Sequence, residues 1–162
     1  MTKSDYNEET DPQKFPSFNL MAAHTDKEIS ISEKELKAQK FLVYTYPKDL
    51  TSGCTKETNE FSNNFDFFTA NGIAIYGLSK DSIKSHLKFI DKEKIPFPLI
   101  SDPDCTLIKA LGCWVKKSMY GKEYMGISRS TFLVNQSLQV NKIWRNVKVK
   151  DHVSNVMAEI SM

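Results

Sequence analysis

Cysteine, glycine and proline are all scarce here: three, six and six of 162 residues. Three cysteines form an odd, widely spaced set, which does not make a disulfide framework and points to a reducing, cytoplasmic setting. Cys54, Cys105 and Cys113, taken with His24, His86 and His152, show none of the paired short spacings that zinc sites use. No metal is expected, and these side chains read as scattered core thiols and surface imidazoles. No Gly-rich phosphate loop appears, and no cofactor is expected. No apolar run approaches the ~18 residues of a membrane span. The opening stretch, "MTKSDYNEETDP", is polar and lacks the apolar core of a signal peptide. Net charge is only +2, too mild to argue for a nucleic acid or an anionic membrane. The basic stretch "KIWRNVKVK" alternates its cations with apolar residues, as a solvated strand face does. There is no internal repeat and no low-complexity segment.

What is present suits one domain. Hydrophobic residues make up 40% and charged residues 26%. A chain of this length buries roughly 68–70% of its unfolded surface and needs no staple. Residues 1–15 read as a mobile tail, and residues 16–162 as a single domain. "FPSFNLMAAHTDKEISI" reads as short extended pieces with a turn. "FLVYTY", Phe41–Tyr46, is a continuous β-prone run of the kind buried on both faces. Phe61, Phe65 and Phe68 recur on one helical face after Cys54. "NGIAIYGLS" reads as a second buried strand. Ile83, Leu87 and Ile90 mark a second helix capped by Asp81 or Ser82, which Pro96 and Pro98 end. "DPDCTLIKALG" reads as a short helix stopped at Gly112. "STFLVNQSLQVNKIW" reads as a hairpin about Asn135–Ser137, and Val153, Val156, Met157 and Ile160 as a closing helix. Two strands joined by a helix should be parallel, and the hairpin antiparallel. The expected fold is therefore α/β and thioredoxin-like, a central mixed β-sheet flanked by helices on both faces.

This order places Cys54 just past a strand, in the first turn of a helix. N–H groups there are unpaired and carry partial positive charge, so a thiolate is stabilised relative to the thiol. Gly53 leaves the approach to the sulfur open. Thr51, one turn back, offers a hydroxyl to the sulfur or to a bound oxygen substrate.

The stretch "YPKDLTSGCTKE" resembles the active-site loop of peroxiredoxins, with Pro47, Thr51 and Cys54 at the family's spacing. "YPK" and "GCT" are similar in particular to the bacterioferritin-comigratory, or Q-type, subfamily. "GLSKDSIKSHLKFIDKEKIPFPLISDPD" resembles that subfamily's strand–helix–strand, and "KSMYGKEYMGISRSTFLVN" its later loop and strand, with the family arginine at Arg129. The resemblance runs from about residue 12 to residue 160. It implies a thiol-dependent peroxidase acting on hydrogen peroxide and organic hydroperoxides. Cys54 would be the peroxidatic nucleophile, with Thr51 and Arg129 holding the peroxide and Pro47 shielding the sulfur. Glu57 falls where many members place a carboxylate that orients an arginine; a first-turn glutamate that simply suits the helix dipole is the other reading.

The chain departs from the subfamily in its second thiol. Where many members carry a resolving cysteine five residues on, this chain has Asn59, and residues 81–94 hold none. Cys105, at the start of a short helix after a turn, is the alternative resolving residue; the inert reading is favoured for it, and more so for Cys113, which reads as packed. The favoured cycle uses one cysteine and an external thiol such as thioredoxin, glutaredoxin or glutathione. An internal Cys54–Cys105 disulfide is the second reading. A monomer or weak dimer is expected. A thiol–disulfide oxidoreductase would want a cysteine at Glu57 and a proline at Ser130. A thioredoxin-fold binding module without turnover would not need Thr51, Cys54 and Arg129 together.

Overall fold

The computed structural model describes residues 11–162. In chain order it builds β1 (Asn19–His24), β2 (Lys27–Ser32), α1 (Glu33–Leu36), β3 (Lys40–Thr45), α2 (Ser52–Asn63), α3 (Phe65–Ala70) and β4 (Ile73–Ser79). Then follow α4 (Ile83–Glu93), β5 (Leu99–Ser101), α5 (Thr106–Ala110), β6 (Trp114–Met119), β7 (Lys122–Ile127), β8 (Ser130–Val134), β9 (Val140–Trp144) and α6 (His152–Ile160). Seven strands form one sheet in the order β2-β1-β5-β4-β3-β8-β9. β3, β4 and β5 run parallel, and β8 lies antiparallel to β3. The sheet is mixed, as expected.

β3 is buried on both faces, which is why it reads as an unbroken apolar run. Phe41 and Val43 enter one core with Leu36, Leu107 and Ile108 from α1 and α5. Leu42 and Tyr44 enter the other with Phe61, Phe68, Phe89 and Val156 from α2, α3, α4 and α6. Helices thus cover both faces. Tyr44 fastens α2 to the sheet: its ring stacks on Phe61 at 4.7 Å, and its hydroxyl shares a 2.8 Å hydrogen bond with Thr58. Burial of one such ring stabilises by about 1.5–3 kcal/mol, so the helix that carries Cys54 is held firmly behind its first turn.

Several sequence expectations shift. Of the tail expected over residues 1–15, the first ten lie outside the described residues. Its last part is folded: Lys14 bridges to Gln139, and Phe15 is buried against Phe41. The phenylalanine face is split between α2 and α3 because the Asn64 side chain donates to the Glu60 carbonyl and draws it from the helical ladder. Ser82, rather than Asp81, caps α4 by accepting from the Ser85 N–H. The segment read as a loop before β8 is a two-stranded arm, β6 with β7.

Candidate active site

β3 ends at Thr45, a loop runs from Tyr46 to Thr51, and α2 begins at Ser52. Cys54 lies in the first turn of that helix and is 2% exposed. Thr51 is the N-cap, yet its hydroxyl makes no cap bond; it donates to the Lys48 carbonyl at 2.8 Å. The first-turn N–H groups near the sulfur are therefore left uncapped by it. The hydroxyl, its proton committed, turns only lone pairs outward. Pro47 sits half-buried in the same loop.

Arg129 arrives from the other side of β3. It lies between β7 and β8, and the backbone on both its flanks is tied to Thr45. The Thr45 hydroxyl donates to the Ser128 carbonyl at 2.7 Å and accepts from the Ser130 N–H at 3.0 Å. Held so, the guanidinium forks: Nη2 donates to Cys54 Sγ at 3.4 Å, and Nη1 to Glu57 Oε1 at 2.6 Å. Glu57 has no exposed surface, and burial raises its carboxyl to about 7 although Arg129 opposes the shift. A Cβ on Gly53 would stand 3.5 Å from Arg129 Nη2, an ordinary contact, so glycine is not sterically required there. Three sequence candidates, Cys54, Glu57 and Arg129, thus meet in one constellation, and Thr51 stands beside them on the same helix start.

The AhpC/TSA family model matches residues 12–143. The chain belongs to the AhpC/TSA family. Peroxiredoxin Bcp of Bacillus subtilis is 39% identical over 145 residues, covering 90% of each chain. Peroxiredoxin Bcp of Xanthomonas campestris is 42% identical over 147 residues, 87% of this chain and 92% of that one. Peroxiredoxin Q of the same organism superposes with a TM-score of 0.82 at 38% identity, covering 89% of each chain. A further structure, of the Xanthomonas bacterioferritin comigratory protein, concerns its alkyl peroxide reduction activity; it matches with a TM-score of 0.82 at 37% identity, over 89% of this chain and 90% of that one. The fold is that of the thioredoxin-like peroxiredoxins, and the chain is a Q-type peroxiredoxin, a thiol-dependent peroxidase.

In this peroxiredoxin the other two thiols lie across the sheet from Cys54. Cys105 and Cys113 pack in the core with Phe41 and Val43, whereas Cys54 packs in the core with Leu42 and Tyr44. Cys105 begins α5 and is buried, in keeping with its inert reading; Asp102 draws the turn inward by accepting from the Thr106 and Ile108 N–H groups. Burial pushes both thiols up. Asn59, five residues past Cys54, donates to Glu93 at 3.0 Å.

Two of the histidines expected at the surface are buried, His86 and His152. His152, at the start of α6, shares a 2.8 Å hydrogen bond with Thr131, and its Nε2 lies 4.0 Å from Glu57 Oε2, too far for a hydrogen bond. Burial first, and Arg129 second, lower His152 to about 4, so it is neutral at pH 7. The two neighbours oppose each other in acid. Glu57, raised in the folded state, favours folding below its unfolded value near 4.5 and loses that contribution as pH rises through about 7. His152, depressed, contributes above its unfolded value near 6.5 and loses that contribution as pH falls through about 4. His152→Gln is expected to remove only the second effect. Denaturant titrations from pH 7 to pH 4 should show the wild type losing stability relative to the variant, by on the order of 3 kcal/mol at the acid end. A pH-independent difference would contradict the assignment. Composition offered no sign of this pair; the one hint was His152 standing beside Val153 at the head of an apolar helix.

Proposed function

We propose that Cys54 reduces hydrogen peroxide and organic hydroperoxides in a one-cysteine cycle. The observation that carries this reading is the forked guanidinium, with Arg129 Nη2 on the sulfur and Nη1 anchored on buried Glu57. The Cys54 thiolate attacks the terminal oxygen of R–O–O–H. The S–O bond forms, the O–O bond breaks, and RO⁻ leaves and takes a proton. Charge moves from sulfur to the leaving oxygen, and a donor fixed beside that line stabilises the transition state. Arg129 serves as that donor. Thr51 accepts from the hydroperoxide O–H through its free lone pairs, and Pro47 screens the sulfur. Glu57 acts through Arg129 and is a positioning residue.

The sulfenic acid is then attacked by an external thiol such as thioredoxin, glutaredoxin or glutathione; water leaves, and a second thiol releases Cys54. A disulfide needs Cα atoms within roughly 7 Å, and the placement of Cys105 across the sheet favours the external route. The enzyme acts in the cytoplasm as a monomer or weak dimer, with neither nucleic acid nor membrane as partner; no helix among the described residues is long and apolar enough to cross a membrane. The test is turnover. Reduced protein mixed with one equivalent of peroxide and no thiol should complete a single oxidation per chain and stop, and further peroxide supplied together with dithiol or thioredoxin should be consumed steadily. Consumption at the buffer rate in both arms would overturn the reading.

A further inference from the structure

Behind the active-site loop lies a second buried polar cluster that the peroxide chemistry does not use. Of residues 47–51, only Asp49 is buried. Its Oδ1 accepts from the Tyr46 hydroxyl at 2.6 Å. Its Oδ2 accepts from the Ser85 hydroxyl at 2.9 Å and faces His86 Nδ1 at 2.7 Å. His86 has no exposed surface, and its Nε2 meets the Ile100 carbonyl at 3.0 Å. The Asp49 N–H in turn donates to Asp81 Oδ2 at 2.9 Å, which also accepts from Ser79 at 2.6 Å. Ligand atoms of Asp49, Asp81 and His86 lie within 4.8 Å of one another, as in a metal site. Yet each already has a hydrogen-bond partner within the protein, so the cluster is arranged as a clamp between the loop, β4 and α4.

The loop has reason to need one. Leu50, between Asp49 and Thr51, is 43% exposed and holds a left-handed φ of 65°. A branched apolar residue there is strained by roughly 1–2 kcal/mol, with only partial burial to offset it. An unanchored loop would relax away from that conformation and take Pro47 and Thr51 with it.

We propose that Asp49, gripped by Ser85 and His86 of α4, is a positioning residue that holds the Pro47–Thr51 loop closed for peroxide and restrains the opening that thiol attack requires. This rests on the reading of Cys54 as the peroxidatic residue. The two half-reactions make opposite demands. Peroxide needs the sulfur, Thr51 and Arg129 in fixed register. A thiol, bulkier than a peroxide oxygen, must reach the sulfur of Cys54, which is 2% exposed. Helix ends and loops open locally at low cost, so the clamp sets how often that happens.

The experiment measures both half-reactions separately. Oxidation is read as the second-order rate with hydrogen peroxide. Thiol attack is read by mixing protein pre-oxidised with one equivalent of peroxide with a small thiol, and following the mixed disulfide by quenched mass spectrometry. Asp49→Asn should slow oxidation about tenfold, as loss of register does, and speed thiol attack about threefold, as easier opening does. Ser85→Ala removes one tie without touching a charge and should shift both rates in the same directions, by about twofold. Opposite changes in the two rates support the clamp. Rates that fall together, a change in oxidation alone, or no change in either would overturn it. If the wild type itself is not oxidised, the cysteine assignment fails and not the clamp.

Discussion

A Cys54→Ser protein is expected to consume peroxide no faster than buffer. The step needs an anionic nucleophile, and a serine hydroxyl is far less ionised than a thiol at neutral pH. No neighbouring base among the described residues would activate it: Glu57 is engaged by Arg129, and His152 by Thr131. The companion replacements sharpen the result. Cys105→Ser and Cys113→Ser alter thiols that burial pushes up and that lie across the sheet. The second-order rate of the first oxidation should stay within about twofold of wild type in each, since neither approaches the reacting atoms. Peroxide consumption by Cys54→Ser at the wild-type rate would remove Cys54 from the reaction.

Arg129→Met should slow oxidation by about 10²–10³-fold, the usual loss for one fixed donor in a water-poor site. The fold should suffer less. Removing one partner of a buried ion pair can cost about 3–5 kcal/mol, but Glu57 has a way out: its carboxyl already lies at about 7 and takes up a proton once the guanidinium is gone. The variant should therefore be more stable at pH 6 than at pH 8, and the rate defect should persist at pH 6, where the fold is intact. An unchanged second-order rate would separate Arg129 from the chemistry. A rate that recovers fully with stability would make its role structural.

The strands and helices that carry the site were legible because each had one periodicity to obey. β3 and β4 are buried on two faces and show continuous apolar runs; α4 and α6 show one apolar stripe each. The arm of β6 and β7 was not legible. It stands outside the main sheet, and Met119, Tyr120, Tyr124 and Met125 on it are exposed, so its alternation follows no core. Cys54 and Thr51 could be read from their place at a strand end and helix start. Arg129 could be named only through the resemblance, since nothing local marks which arginine meets a sulfur 75 residues away. The partners of Thr45, Asp49, His86 and His152 were not legible for a related reason. Each makes its decisive bond to a residue far along the chain, apart from the Tyr46–Asp49 contact, and a polar side chain within an apolar run gives no sign of what it faces.

The most direct test is intact mass with peptide mapping of the reduced protein after one equivalent of hydrogen peroxide. The one-cysteine account predicts a single added oxygen, or an intermolecular adduct, on the peptide that contains Cys54, with Cys105 and Cys113 still reduced. A Cys54 peptide left unmodified while peroxide disappears, or a quantitative Cys54–Cys105 or Cys54–Cys113 disulfide within the monomer, would contradict it.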